Sequence, residues 1–75
     1  MHSIGVDLHK NTISVCVMIL EGHERQVVAR ARFACSDIPR IKTFFVKYAP
    51  FQAVVEATAS YEWFVTLIEP LAQRV

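Results

Sequence analysis

Apolar residues alternate with polar or small ones through the first 34 positions, then recur every three to four residues. The first rhythm is that of half-buried strands and the second that of an amphipathic helix. Residues 3 to 8, Ser3-Ile4-Gly5-Val6-Asp7-Leu8, predict a first strand, and His9-Lys10-Asn11 a tight turn. Thr12 to Leu20 predicts a second strand, with Ile13, Val15, Val17 and Ile19 on one face and Thr12, Ser14, Cys16 and Met18 on the other. Both faces are largely apolar, which predicts layers on both sides of this strand. Glu21-Gly22-His23 suits a hairpin turn, with glycine supplying the special backbone angle. A third strand over 25–34 would turn Val27, Ala29, Ala31 and Phe33 inward and Arg30 and Arg32 outward. Three strands joined by two short turns make an antiparallel meander.

Beyond it, Ser36 is placed to cap a helix, with Asp37 and Pro39 in the first turn. Ile38, Ile41, Phe44, Phe45 and Tyr48 form its apolar stripe, and Ala49-Pro50 ends it. Phe51 to Glu56 predicts a fourth strand. Thr58 or Ser60 would cap a second helix with the stripe Tyr61, Phe64, Val65, Ile68 and Leu71, and Pro70 would kink or stop it. The expected order is βββαβα, with a further strand beginning at or after Val75. A crossover through a helix normally returns parallel. Docking strand four beside strand one then gives the first part of a ribonuclease-H-like α/β fold, truncated, within one domain over residues 1–75.

Composition sharpens this. A chain of 75 residues buries roughly 60% of its unfolded surface, which is marginal for an independent core. Its 53% hydrophobic content is high for that size, suggesting a piece of a larger core. With a fifth strand missing, the outer edge of strand four would be a template for another chain, so a homo-oligomer is expected. Cys16 and Cys35 are too few and too far apart for a zinc motif or a disulfide framework, and read as free thiols in a reducing cytoplasm. No run approaches the ~20 apolar residues of a membrane span, so no membrane role is expected. Net charge is only +1. Six basic residues fall between His23 and Lys47 (Arg25, Arg30, Arg32, Arg40, Lys42, Lys47) against Glu24 and Asp37. A solvated face explains these better than a nucleic-acid footprint.

The candidate chemistry lies in Asp7 and Glu56, each ending an apolar strand. Singly, such an acid marks where a strand leaves the core. On adjacent parallel strands the two would meet at the rim where open α/β sheets place ligands, within reach of one divalent cation. Such a pair would begin a metal-dependent phosphoryl-transfer site.

Two blocks carry a family resemblance. Ile4-Gly5-Val6-Asp7-Leu8-His9-Lys10 continues into Thr12-Ile13-Ser14-Val15. Val54-Val55-Glu56-Ala57-Thr58-Ala59-Ser60-Tyr61 is followed by Trp63 and Leu67. Together they resemble the DEDD-type insertion-sequence transposases (the "one-ten" family), whose N-terminal domain is RuvC-like. Ala59 departs from the glycine usual there. The resemblance spans the chain and implies a DNA recombinase, directed by an element-encoded bridge RNA, whose four carboxylates bind Mg2+, with Mn2+ an alternative. Asp7 matches the first acid and Glu56 the second. The other two acids, and a serine nucleophile in a separate domain, would lie beyond Val75, so this stretch alone is expected to be inactive.

Around the acids, His9 either touches the metal's outer shell or a phosphate, or caps the turn. Lys10 either contacts phosphate or is solvated. Ser60 and Tyr61, at a helix start, either hold a phosphate through backbone amides or serve as cap and core aromatic. Two other functions compete. Actin- and sugar-kinase-type ATP-binding domains also open with Ile-Gly-x-Asp-Leu and a meander, but their phosphate loop needs glycine where His9 and Lys10 stand. A non-catalytic interaction module is the third.

Overall fold

A computed structural model describes residues 1–57 and 61–74. Three strands open the chain: β1 (His2–Leu8), β2 (Thr12–Glu21) and β3 (Glu24–Ala34). The helix α1 (Ile38–Tyr48) leads to β4 (Phe51–Ala57), and α2 (Glu62–Ile68) leads to β5 (Ala72–Arg74). The five strands form one mixed sheet in the order β3-β2-β1-β4-β5. β2 runs antiparallel to both neighbours, while β4 lies parallel to β1 and β5 parallel to β4.

β5 corrects the expected truncated βββαβα order. The chain continues through α2 into a fifth strand before Val75, because Pro70 stops the helix and releases Leu71–Arg74 to reach the sheet. Only Phe51–Ala72 and Gln52–Arg74 pair there, so β5 covers the start of β4's outer edge and leaves the rest without a strand among the described residues.

One face of the sheet makes the core. Ile4, Val6 and Leu8 of β1, Ile13, Val15 and Val17 of β2, and Phe51 and Ala53 of β4 are buried against Ile41 and Phe45 of α1 and Phe64 and Ile68 of α2. Phe45 sits at the centre, its ring 5.3 Å from Phe51 and 5.5 Å from Phe64. Side chains alternate across a strand, so Ser3, Gly5 and Asp7, the even-numbered positions of early β2, Arg30 and Arg32, and Gln52, Val54 and Glu56 share the opposite face. No helix among the described residues covers that face, which corrects the expectation of layers on both sides of β2. Thr12, Ser14 and Cys16 are small and Met18 is flexible, so their half-exposure costs little.

Local signals fared unevenly. Asp37 and not Ser36 occupies the N-cap position of α1, and its carboxylate makes no capping hydrogen bond but faces Arg40, 3.5 Å away. The Thr58 or Ser60 cap lies outside the described residues. Tyr61 stands at the N-cap of α2 and is 51% exposed, so it leaves the expected core stripe to Phe64 and Ile68. β2 and β3 join through Gly22-His23, with Gly22 at φ +61°. A Cβ there would meet no atom within 4 Å, so the penalty for a side chain is backbone strain alone. Gly22→Ala should therefore lower stability by about 1 kcal/mol. An unchanged urea midpoint would contradict that reading of the turn. Past the middle of the hairpin, Val17 pairs with Ala29 but Met18 with Val27, so Val28 is an extra residue in β3.

Candidate functional site

Asp7 and Glu56 are register partners on the neighbouring parallel strands β1 and β4. Alternation puts both on the uncovered face, near the C-terminal ends of their strands, and both are exposed. Parallel neighbours lie ~4.8 Å apart, so the pairing brings two carboxylates side by side without a bend in either strand. The cause is local: Ile4-x-Val6-x-Leu8 and Phe51-x-Ala53-x-Val55 are anchored in the core, which forces the alternate residues outward.

His9 is the nearest basic partner of Asp7. Its Nε2 lies 3.1 Å from Asp7 Oδ2, with the two side chains 49% and 57% exposed. At that exposure the contact is worth ~0–1 kcal/mol and acts chiefly to orient the carboxylate. Lys10 makes no ion pair with either acid among the described residues. The two-residue spacing of Asp7 and His9 was the signal for their meeting, because alternate residues of extended chain share a face. The turn between them and β2 is held by the His9 amide donating to the Thr12 carbonyl (2.9 Å) and the Cys35 amide donating to the Asn11 carbonyl (2.9 Å).

The Cys35 thiol donates to the His9 carbonyl at 3.5 Å. Burial pushes that thiol's pKa above its ordinary value. Cys35 should accordingly alkylate with iodoacetamide more slowly in the folded chain than in urea; equal rates at pH 8 would refute this. The raised value also means that its contribution to stability, present below the ordinary thiol pKa of ~8.5, is lost as pH rises above it.

Extending the register across the sheet gives a row: Arg32 on β3 faces Ser14 on β2, Ser14 faces Asp7, and Asp7 faces Glu56. The next row toward the sheet's other end reads Arg30, Cys16, Gly5 and Val54. These rows line an open concavity of about 740 Å³. From sequence the two arginines read as part of a solvated face, since alternation alone does not say which sheet face lacks helices.

The remaining candidates divide. Lys10 is exposed in the β1–β2 turn at the carboxylate end of the sheet. Tyr61 stands at the N-cap of α2, its carbonyl accepting from the Phe64 and Val65 amides. Ser60 lies outside the described residues. Among the described residues no group of three or more His, Cys, Asp or Glu could hold a metal ion. Asp7 and Glu56 therefore offer two hard oxygen donors, a fit for an ion such as Mg2+ that keeps waters and shares a substrate phosphate, and a poor fit for one needing a full protein cage.

No helix among the described residues is long and apolar enough to cross a membrane. No protein-family model matches the chain and no curated protein does. Among solved structures the chain is similar to the Aquifex aeolicus PPX-GPPA enzyme, at 9% sequence identity and a TM-score of 0.51. The match covers 100% of this chain but 36% of that one, so the chain spans about a third of the enzyme's length. At this identity the likeness speaks for the fold alone. It places the five-stranded mixed sheet with the actin/sugar-kinase-like folds and overturns the ribonuclease-H-like, RuvC-like assignment. The overturned assignment rested on a meander followed by a helical crossover, a beginning that the kinase-type domains share.

Proposed function

We propose that this chain carries two metal-holding acids of a DNA transposase or recombinase, Asp7 and Glu56, and acts in divalent-ion-dependent strand cleavage and exchange. The observation that carries the reading is their register pairing on adjacent parallel strands, both turned to the uncovered face. The two sequence blocks resembling the DEDD-type transposases contain these two acids, and His9 orients the first of them. A bound Mg2+ or Mn2+ would supply Lewis-acid polarisation of a phosphodiester. Asp7 and Glu56 would hold that ion, while Lys10 at the same end of the sheet attracts phosphate. With two acids of the four that the resemblance implies, the chain by itself cuts no DNA; in the complete enzyme a bridge RNA and the DNA target are the partners.

Electron paramagnetic resonance of Mn2+ tests the reading directly. Binding should be weak, on the order of millimolar, because two carboxylates without substrate make a sparse cage. It should vanish in Asp7→Asn and in Glu56→Gln. Binding unchanged in both variants would sink the metal role.

A second reading is favoured by the fold likeness: an ATP-binding domain of the actin/sugar-kinase type. Against it stands the β1–β2 turn, where His9-Lys10-Asn11 offers no glycine for close backbone approach to a nucleotide. Micromolar MgATP binding that is lost in Asp7→Asn would establish this alternative in place of the first. Self-association belongs to the proposal too, through the part of β4's edge that β5 leaves unpaired. Light scattering should give twice the 8.5 kDa chain mass, and a clean monomer would refute it.

A further inference from the structure

The uncovered face holds an arrangement that the acid pair alone does not explain. Arg30 and Arg32 both project onto it from β3, both are exposed, and neither guanidinium has an ion-pair or hydrogen-bond partner among the described residues. Between them and the carboxylates the surface is low, because Gly5 has no side chain and Ser14 and Cys16 are small. Each row therefore crosses a trough, with arginine on one bank. On the other bank Glu56 and the exposed Val54 stand on β4.

We infer that this trough seats a single strand of DNA, with Arg30 and Arg32 binding the phosphates that neighbour the one brought to Asp7 and Glu56. The inference rests on the phosphoryl-transfer reading above and adds to it the substrate's path along the trough. Three inter-strand steps separate Arg32 from Glu56, about 15 Å between their backbones at ~4.8 Å per step. That width takes one strand lying along the trough, its phosphates toward the arginine bank. The polarity of the rows fits the same path. Guanidinium groups take phosphate oxygens directly and in bidentate fashion, whereas the carboxylates accept phosphate only through a cation. The chain's net charge of +1 makes the position of its arginines matter more than their number. Val54, 71% exposed at the trough's edge, offers an apolar surface to a base.

Fluorescence anisotropy of a labelled single-stranded DNA oligonucleotide, in EDTA and over a salt series, tests this independently of any metal. Arg30→Gln combined with Arg32→Gln should weaken binding on the order of tenfold and flatten the plot of log affinity against log salt by about 1.4, or 0.7 per lost phosphate contact. The comparison variant is Arg40→Gln with Lys47→Gln, which removes the same charge from α1 on the other side of the sheet. It should bind nearly as the parent does. Equal losses in the two double variants would reduce the effect to net charge and overturn the inference, as would absence of binding by the parent chain. Melting followed by circular dichroism checks that both variants fold; the four side chains are exposed, so little change is expected. Mn2+ resonance on the same proteins separates the two claims. The arginine variant should bind Mn2+ as the parent does, so loss of DNA binding without a metal signal at Asp7 and Glu56 would sink the catalytic reading while leaving the strand path standing.

Discussion

Alanine at Asp7 or at Glu56 should lower DNA recombination by roughly a thousandfold or more in the complete enzyme that the resemblance implies, with the fold intact. The magnitude follows from what a metal-holding carboxylate does. The ion it holds supplies several kcal/mol of transition-state charge stabilisation, and each 1.36 kcal/mol is a factor of ten in rate. Stability should hardly move, because both side chains are exposed and the contact that Asp7 makes with His9 is a surface one. His9→Ala provides the graded comparison. It removes a group that orients a ligand without being one, so a loss of ~10–100-fold is expected. Recombination of a plasmid substrate, with soluble protein levels and melting curves in parallel, gives the measurement. Activity within tenfold of the parent in Asp7→Ala or Glu56→Ala would remove the catalytic role and leave two surface acids.

Phe45→Ala should be the most damaging single change to folding. Phe45 is fully buried and links both helices to the sheet through its ring contacts with Phe51 and Phe64. Truncating a buried phenylalanine costs ~3–5 kcal/mol through lost transfer energy and the cavity left behind. Total stabilities of about 0.05–0.15 kcal/mol per residue imply only ~4–11 kcal/mol for a chain of this length. The change therefore takes between about a quarter and all of the margin, and the melting temperature should fall by more than about 12 °C. Phe44→Ala, at a half-buried position on the same helix, should cost clearly less. A fall of only a few degrees for Phe45→Ala would mean that the helices do not close on the sheet as described.

What the sequence disclosed and what it hid divide along the range of the forces involved. The hairpin at Gly22, the stripe of Ile41 and Phe45, and the outward position of Asp7 at the end of β1 all follow from neighbours a few residues away. The meeting of Asp7 with Glu56 needed one further step, the parallel return of a helical crossover, and it too could be argued from the order of elements. The fold assignment failed for a different reason. A meander and a crossover are shared beginnings, and overall shape selects between the folds that use them. β5 has three residues, too short for any periodicity to betray it. Tyr61 has a spacing that fits the stripe of α2, yet it stands at the N-cap, where the chain has not entered the helix. The face bearing Arg30 and Arg32 stayed hidden because alternation defines two faces of a strand without saying which the helices take.

The extra residue in β3 has a consequence for how copies of this chain can meet. β3 is the outermost strand on its side, with Val27 and Val28 exposed, and a straight edge of this kind would invite stacking of one sheet onto the next without limit. The bulge at Val28 shifts the alternation partway along, so that an incoming strand in register with Ala29–Ala34 would be out of register with Glu24–Val27. Only half of the edge can be matched at a time. Growth into a fibre from that side is thereby starved of a continuous ladder, while the arginines near the other half repel a second copy of themselves.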